Sequence, residues 1–436
     1  MRRIGIDVGG TNTDAVLVQD QVVLAAVKTP TTADVLDGIR GALSDLVTAL
    51  GGDVGKVGAV MVGTTHFTNA VVQRQGLEPV AAVRIGLPSG ASLPPFVDWP
   101  QDLASKVRGA VFMVEGGHEY DGRPLVPFDV EATLGAARRI RDSGIASAAV
   151  ASVFSPLNAE CEEEAAAIFR AEVPGLDVTL SHDLGRIGLL ERENAALLNA
   201  ALVPLARRTT RAFTEALTGS GIHAPLFLTQ NDGTVMRAEF AEAFPVYSFS
   251  SGATNSMRGA AFLSGLKDAM VVDVGGTTTD VGHLRAGFPR EANTVVEVGG
   301  VRTLFRMPDL LSLGLGGGTL VDWATRSIGP HSVGFRLTEE SLVFGGDALT
   351  ATDVAVAAGR ATIGEVDRVA RVDRQVVAWA LEGGRAIRIS HYSPCDYRLP
   401  GLAHLSPPIT STPMKSLDYQ PFWGQTPTAH HAGDAP

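Results

Sequence analysis

The chain has 436 residues, more than one comfortable hydrophobic core, so its length predicts two domains or lobes. Its net charge of −11 and pI of about 5.4 argue against nucleic acid or an anionic membrane as the main partner, because either would need a basic face. The two distant cysteines, Cys161 and Cys395, the lack of a signal-peptide pattern and the short apolar runs lead us to expect a cytoplasmic protein that acts on small molecules.

The N-terminal part alternates strand-like and helix-like segments. The runs RRIGIDV, AVLVQ and VVLAAVKT predict strands, and apolar residues at helical spacing predict a helix over 32–50 that Thr32 could cap. A strand at 58–65 leads into a helix that opens on HFTN. This alternation is typical of an α/β fold. Residues 86–126, rich in glycine and proline with little periodicity, predict a loop-rich insertion.

The alternation continues downstream. DVEATLGAARRIRDSG predicts a helix, IASAAVASVF a buried strand, 158–172 a helix and 177–185 a strand with a loop. ERENAALLNAALVPLARRTTRAFTEALT predicts the longest helix, interrupted at Pro204, and APLFLTQNDG predicts a strand after it. In YSFSSGATNSMRGAAFLSG, small residues before a helix could let a nucleotide or a partner backbone come close. From about residue 390 no period is left, and eight of the 24 prolines fall in the last 46 residues, a composition typical of disorder.

An eight-residue motif occurs twice, each time directly after a short apolar strand. DVGGTNTD at 7–14 returns as DVGGTTTD at 273–280, and only Asn12 and Thr278 differ. Glycines let the backbone approach an anion, threonine hydroxyls and N–H groups donate to its oxygens, and a carboxylate can hold Mg²⁺ through water. A single copy could be an ordinary glycine hairpin, but the repetition predicts two phosphate-binding walls of one cleft.

A third glycine-rich turn lies in LLSLGLGGGTLVDW at 310–323. Gly316 and Gly317 are candidates for nucleotide contact in this turn. The alternative is a flexible connection, since a glycine run without an ordered context is a weak signal.

With these motifs in view, residues 1 to about 372 resemble the A subunit of the hydantoinase/oxoprolinase family, within the actin-like ATPase superfamily that includes sugar kinases and Hsp70 chaperones. The resemblance rests on both repeated turns and on the ordered blocks GTTHFTNAVVQRQG, ERENAALLNAAL, TQNDGTVM, SLGLGGGT and GGDALTATDVAVAAGR. It implies an actin-like (ribonuclease H-like) α/β fold with two lobes around a nucleotide cleft.

The resemblance also implies a function, which is the ATP-dependent opening of a cyclic amide or imide such as 5-oxoproline, a hydantoin or a lactam, together with a hydantoinase B-type subunit. A phosphoryl group on the carbonyl oxygen would turn that oxygen into a leaving group, so the expected cofactors are ATP and Mg²⁺. Asp7 and Asp273 would position the Mg²⁺. Asp14 and Asp280 would orient a nucleophile or cap their own turns. The expected phosphate-binding residues are Gly9, Gly10, Thr11, Asn12, Thr13, Gly275, Gly276, Thr277 and Thr278.

Five further polar residues in the family-like blocks are weaker candidates. His66, Asn69 and Asn231 could contact substrate, although a histidine in such a place is as often structural. For Glu193 and Asn194, a solvated helix face is the simpler interpretation.

The resemblance predicts an N-terminal lobe over 1–190, a second lobe over 191–372 and an atypical tail over 373–436. Family members usually continue with a helix, a strand ending in a VGGG-like adenosine turn and a final helix, so we expect the C-terminal lobe to be incomplete. Two other functions stay open. A sugar-type small-molecule kinase would use the same DxGGT turn, and a non-catalytic or truncated assembly subunit would fit the atypical C-terminus.

Overall fold

The computed structural model describes residues 1–9, 12–30, 35–51, 55–292, 296–304 and 307–390. Contacts within the chain divide it into two compact units, with the first unit at Met1–Leu313 and the second beginning at Gly314. The predicted lobe boundary at 190/191 differs from this division and stays a prediction. No helix in the described ranges is long and apolar enough to cross a membrane.

The first unit is an α/β arrangement. In chain order its strands are β1 (Arg2–Val8), β2 (Asn12–Gln19), β3 (Val22–Pro30), β4 (Val57–Thr64), β5 (Val80–Leu87), β6 (Arg108–Glu115), β7 (Ser147–Ser152), β8 (Asp177–Leu180), β9 (Leu226–Thr229), β10 (Val235–Arg237), β11 (Ala269–Val274), β12 (Thr279–Arg285), β13 (Phe288–Pro289), β14 (Val296–Val298), β15 (Val301–Thr303) and β16 (Leu310–Leu313). Its helices are α1 (Val35–Ala49), α2 (His66–Gln73), α3 (Gln101–Val107), α4 (Val130–Ser143), α5 (Glu160–Glu172), α6 (Leu189–Gly219), α7 (Ala238–Ala243) and α8 (Ser251–Ser264).

Three larger sheets and the two-stranded β14–β15 sheet organise this unit. The first has the order β10-β9-β4-β1-β2-β3, with β1, β4 and β9 parallel and the β1-β2-β3 meander antiparallel. The second, β6-β5-β7-β8, is parallel throughout. In the third, β12 pairs with β11, β13 and β16, all antiparallel. Because β1 carries apolar residues on alternate positions, Ile4, Ile6 and Val8 are buried in the core that the first sheet shares with α1 and α6.

Two features of this fold correct the sequence-based predictions. The region 86–126 contains helix α3 and strand β6, so the prediction of a loop-rich insertion is wrong for residues 101–115. Strand β6 was missed because its backbone pairing with β5, which is distant in sequence, defines it better than its own periodicity does. Helix α6 also runs unbroken through Pro204, because packing on both of its sides outweighs the lost backbone hydrogen bond. The cap predicted at Thr32 lies outside the described residues.

Buried polar groups hold helix α6 in place, although the sequence predicted that two of them face solvent. Glu193 and Asn194 are both buried, so the prediction of a solvent-facing surface there is wrong. Glu193 accepts two hydrogen bonds from the fully buried guanidinium of Arg84 on β5. Burial raises the pKa of the Glu193 carboxyl, and the bonds from Arg84 oppose that rise. Asn194 accepts a 2.7 Å bond from the indole N–H of Trp99. These contacts tie α6 to the second sheet and to the segment that precedes α3.

The second unit contains a small hairpin and several helices. Its elements are β17 (Thr319–Asp322), β18 (Ser327–Ser332), α9 (Leu337–Glu340), α10 (Ala351–Ala357), α11 (Val366–Val369) and α12 (Arg374–Ser390). The buried carboxylate of Asp353 forms a capping box with Thr350 and accepts bonds from Ser341 Oγ and the Val343 N–H, both at 2.8 Å. Helix α12 lies in the segment 373–436 that was predicted as an atypical tail, and residues 391–436 lie outside the described part.

We expect the Arg84–Glu193 pair to be a main determinant of stability. Replacing Arg84 with Met leaves a buried, unpaired carboxylate and should lower the free energy of unfolding by about 3–5 kcal/mol, measured by urea denaturation. The double variant Arg84→Met/Glu193→Met should recover part of this loss. As a control, Arg123→Met removes an exposed pair with Asp121 and should cost less than about 1 kcal/mol. Equal effects of the two single variants would contradict this prediction.

Candidate functional site

The first motif forms the tight β1–β2 hairpin. Asp7 is the second-to-last residue of β1 and lies opposite Asp14 in the register, and the Gly9 N–H donates to the Asn12 carbonyl at 3.0 Å. A Cβ at position 9 would lie 3.0 Å from that same carbonyl oxygen, a tight contact, so the turn favours glycine. Thr13, opposite Val8, is fully buried. Two other predicted phosphate ligands, Gly10 and Thr11, lie outside the described residues.

The second motif repeats this geometry at the β11–β12 hairpin. Asp273 lies opposite Asp280, and the Gly275 N–H donates to the Thr278 carbonyl at 2.8 Å. Gly276 and Thr277 form the tip of the turn. The two motifs are therefore alike in structure as well as in sequence. In each hairpin the two aspartates lie opposite each other, and the same glycine N–H closes the turn.

The two hairpins act on each other electrostatically at Asp7. Burial, followed by the charges of Asp14 and Asp273, raises the pKa of Asp7 to about 6, while Asn255 and Lys28 act against this rise. The residue keeps some exposed surface, but its Oδ1 atom is buried and has no hydrogen-bond partner among the described residues. The tertiary structure thus brings Asp7 within electrostatic reach of Asp273 in the second motif.

Asp14 and Asp280, the second aspartate of each motif, have partners of their own. The Asp14 carboxylate pairs with Lys28 at 2.9 Å, directly across the β2–β3 ladder. The Ser312 hydroxyl on β16 donates to Asp280, while burial, and then the charge of Asp273, raise the pKa of Asp280. These contacts are compatible with the structural alternative, in which each aspartate supports its own turn, and the catalytic roles stay predictions.

Asn255 is a site residue that no motif indicated. It lies on α8, in the small-residue segment where the sequence predicted a close approach, and its side-chain amide lies beside the Asp7 carboxyl group and lowers the pKa of that group. Gly63 on β4, opposite Asp7 in the register, makes room for it. A Cβ at position 63 would overlap the Asn255 amide nitrogen and come within 2.9 Å of Asp7 Oδ1.

Helix α8 connects the two hairpins. Its first turn is fastened to the end of β4, because the Ser251 hydroxyl donates to the Thr64 carbonyl at 3.0 Å. Further along, Met257 packs against Gly282 of β12, and the Arg258 guanidinium lies over the Phe288 ring at 3.9 Å from its centroid. A single rigid element therefore contacts the Asp7 region on one side and the Asp273 hairpin on the other.

The residues present fit a Mg²⁺-nucleotide better than a metal held by protein alone. In the part of the chain that the structure describes, no group of three or more His, Cys, Asp or Glu side chains could hold a metal ion. Mg²⁺ is usually bound by one or two carboxylates together with phosphate oxygens and waters. The buried, unpartnered Asp7 Oδ1 suits such a role, and an acidic site needs a cation before it can accept a polyphosphate.

The third glycine turn belongs to the second unit. The Gly316 N–H donates to Thr319 Oγ1 at 2.7 Å, and the Gly317 carbonyl accepts from the N–H and the hydroxyl of Thr352, both at 2.9 Å. The turn is therefore an ordered connection to the start of α10. Contact of Gly316 and Gly317 with a nucleotide stays a prediction.

The weaker candidates divide into two groups. His66 begins helix α2, where its N–H bonds Thr64 Oγ1 at 3.1 Å, and Asn69 bonds Thr65 Oγ1 at 3.2 Å, so both lie at the corner that follows β4. Asn231, by contrast, is 2% exposed, and its backbone N–H donates to the Tyr247 carbonyl at 2.7 Å. Asn231 therefore contributes to the core.

Two family models match the chain. The hydantoinase/oxoprolinase N-terminal region matches residues 3–173, and the hydantoinase/oxoprolinase model matches residues 192–365, so the two together span most of the sequence. The chain belongs to the hydantoinase/oxoprolinase family. Its relatives include the caprolactamase subunit alpha of Pseudomonas jessenii, 26% identical over 388 residues, which are 82% of this chain and 54% of the relative. The acetophenone carboxylase gamma subunit of Aromatoleum aromaticum is 27% identical over 393 residues, which are 82% and 53%.

Two solved structures have a similar fold. The ATP-dependent caprolactamase from Pseudomonas jessenii matches with a TM-score of 0.68 at 24% identity, over 88% of this chain and 58% of that one. Nucleotide-free acetone carboxylase matches with a TM-score of 0.64 at 21% identity, over 88% and 59%. These matches confirm the predicted actin-like α/β fold. The chain spans about half the length of the curated relatives that it matches.

We expect the Asp7 carboxylate to destabilise the folded, metal-free protein above pH 6. The pKa of Asp7 rises from the ordinary aspartate value of 3.8 to about 6 in the fold, so the folded state binds the proton more tightly and loses stability as pH rises between these values. In buffer with a chelator, Asp7→Asn should therefore raise the free energy of unfolding by up to about 3 kcal/mol near pH 7.5, and by about half as much near pH 5. Urea denaturation at both pH values measures this gain, and a gain that is independent of pH would contradict the prediction.

Gly63→Ala should displace Asn255 from the Asp7 carboxyl group. The overlap with the Asn255 amide should cost about 1–3 kcal/mol of unfolding free energy, as for other overpacked sites. Gly41→Ala on α1 is the matched control, because nothing lies within 4 Å of the added Cβ. That control should stabilise the protein by roughly 0.5–1 kcal/mol through helix propensity. A Gly63→Ala protein as stable as wild type would show that the site is not tightly packed.

Proposed function

We propose that this chain is the ATP- and Mg²⁺-dependent subunit of an enzyme that opens a cyclic amide or imide of the 5-oxoproline, hydantoin or lactam type. The observation that carries the proposal is the meeting of two matching aspartate hairpins around Asp7, in a family that includes a caprolactamase alpha subunit. Such an arrangement suits phosphoryl transfer, which needs positioning and charge neutralisation more than a nucleophilic side chain.

The proposed chemistry activates an unreactive carbonyl. ATP transfers its γ-phosphoryl group to the amide oxygen, which makes the carbonyl carbon a better electrophile for water. The ring C–N bond then breaks, the nitrogen takes up a proton, and a second water releases phosphate from the acyl group. The balance is one cyclic amide, one ATP and two water molecules giving the ring-opened amino acid, ADP and phosphate.

In this proposal the residues of the two hairpins have distinct roles. Asp7 and Asp273 hold Mg²⁺ or its waters, and bound Mg²⁺ supplies positive charge to the phosphates. The turn residues next to Gly9 and Gly275 approach the phosphates through their backbone. Asn255 keeps the Asp7 carboxylate in place, so that the Asp7 Oδ1 atom remains available to the metal ion or its waters.

We also propose a multisubunit assembly with a hydantoinase B-type partner. The relatives named above are subunits, and this chain spans about half of their length. A cytoplasmic location and the absence of nucleic-acid and membrane partners belong to the same proposal, supported by the acidic net charge of −11.

A second candidate function is ATP-dependent activation of a ketone for carboxylation. It is favoured by the acetophenone carboxylase gamma subunit, which at 27% identity is as similar to this chain as the caprolactamase subunit at 26%. Both candidates begin by phosphorylating a carbonyl oxygen, so both are compatible with the same nucleotide site. The products distinguish them, as do those of a kinase, which leaves a stable phosphorylated product.

Nucleotide binding is the first property to test. Thermal unfolding of the full chain should shift upward with Mg-ATP, because ligand at about 100 times Kd adds roughly 2.7 kcal/mol to native stability. Asp7→Ala and Asp273→Ala should each lose the shift, and ATP with a chelator should give a much smaller one. Asp45→Ala, at an exposed position of α1, is the matched control and should keep it.

The outcomes separate the candidate functions. A shift that both hairpin variants lose would justify product analysis with a B-type subunit and a panel of lactams, imides and ketones. A shift that survives in Asp7→Ala and Asp273→Ala would refute the hairpin site. No shift in a folded wild-type sample would favour the non-catalytic assembly subunit.

A further inference from the structure

The two repeated hairpins differ in how their first strands are covered. In β11, Met270, Val272 and Val274 take the places that three buried apolar residues take in β1, and we call them the β11 row. They are 56%, 59% and 57% exposed. Their β1 counterparts, none more than 4% exposed, are Ile4, Ile6 and Val8. The same motif positions therefore lie in a core in one hairpin and at the surface in the other.

The β11 row lies on the face of the third sheet that α8 does not cover. Gly282 of β12 packs against α8, and its register partner is Val271. Because side chains alternate along a strand, Val272 points to the opposite face. Its register partner Val281, and Leu311 of β16 beyond it, are half-buried and also apolar. A sheet face that stays in water normally carries polar residues, so this apolar face suits a covering layer.

The first hairpin shows which kind of layer fits such a face. Helix α1 contacts β1, β2 and β3, and its buried residues Ile39, Leu43 and Leu46 recur on one side of the helix. They belong to the same core as the covered β1 residues. An amphipathic helix with an aliphatic side is therefore the element that this fold places on the apolar face of the motif.

The edge of β11 is open as well. Strand β1 pairs with β2 on one edge and with β4 on the other. Strand β11 pairs with β12 and has no second neighbour among the strands that the structure describes. An apolar face beside an unpaired strand edge is a typical place for another polypeptide to bind.

The charges at the border of the face favour an acidic helix. Lys267, just before β11, and Arg285, at the end of β12, are both exposed and lie where β11 begins. Asp268, next to Lys267, accepts a bond from the Ala286 N–H at 3.3 Å, and the three side chains together leave an excess of positive charge. This border attracts acidic side chains of an approaching helix. A second copy of this chain would bring the same positive border and a net charge of −11, so like charges disfavour it.

We propose that the β11 row is a docking surface for an acidic amphipathic helix of another polypeptide, which covers this sheet face as α1 covers that of β1. Asp273 lies on the opposite face of β11, and helix binding requires neither ATP nor a substrate. The inference therefore does not rest on the proposed function.

Binding of the α1 sequence as a separate peptide tests this surface. The probe is a fluorescein-labelled peptide of residues 35–50 with Gly41→Ala, which strengthens the helix where an added Cβ meets nothing within 4 Å. Fluorescence anisotropy with the full chain should show saturable binding. Val272→Lys should weaken it at least about tenfold, because the ammonium group would lose its water. Val22→Lys is the matched control, since Val22 is 62% exposed, similar to the 59% of Val272, and lies on β3.

Variants of the peptide and of the border test the chemistry of the contact. In the peptide, Leu43→Asp should abolish binding, while Ser44→Asp, at an exposed position of α1, should keep it. The double variant Lys267→Glu/Arg285→Glu of the full chain should weaken binding, because the peptide carries two aspartates and one arginine. Val274→Lys repeats the test of the β11 row and guards against a folding defect in Val272→Lys.

Several results would overturn the proposal. They are a wild-type chain that does not bind the peptide, lysine variants at 272 and 274 that both bind it like wild type, and an affinity that the charge reversal leaves unchanged. A wild-type dimer in sedimentation velocity that Val272→Lys dissociates would also overturn it, because a second copy would then occupy the face.

Discussion

The organisation of the candidate site depends on one electrostatic constraint, the placement of the Asp7 carboxyl group at the meeting of two acidic hairpins. Burial and the charges of Asp14 and Asp273 oppose ionisation of Asp7, while Asn255 and Lys28 favour it. The packing of the fold must therefore hold the Asp7 carboxyl group in place against the repulsion of the neighbouring carboxylates. Sites that bind a highly charged ligand are often electrostatically unfavourable in the ligand-free protein, and the bound ligand with its metal ion removes this destabilisation.

Helix α8 is the element that makes this placement possible. It contacts β4 near Asp7 through Ser251 and Asn255, and it contacts the second hairpin through Met257 and Arg258. Small residues at its start and Gly63 on the facing strand permit the close approach. Two hairpins that are far apart in sequence are thereby held as one unit, and the separation of their aspartates depends on the packing of a single helix.

The second sheet is held differently, by buried ion pairs and hydrogen bonds at the start of α6. Arg84 and Glu193 connect β5 to the helix, while Arg192 donates to Ser181 Oγ at 2.9 Å and to the Ser152 carbonyl at 2.5 Å. Glu162 accepts from the Ser152 N–H at 2.7 Å in the same region. These charged groups are buried where strands end and a helix begins.

By itself the sequence determined the α/β class, many of the strands and helices of the first unit, and the two glycine turns of the repeated motif, because strand periodicity and glycine turns are local properties. It could not show that the charge of Asp273 raises the pKa of Asp7 or that Asn255 lies beside Asp7. It also could not show that Glu193 and Asn194 are buried. Nor could it show β6, or the continuation of α6 through Pro204. These depend on contacts between residues far apart in the chain, which have no local signature, so only the tertiary structure decided them.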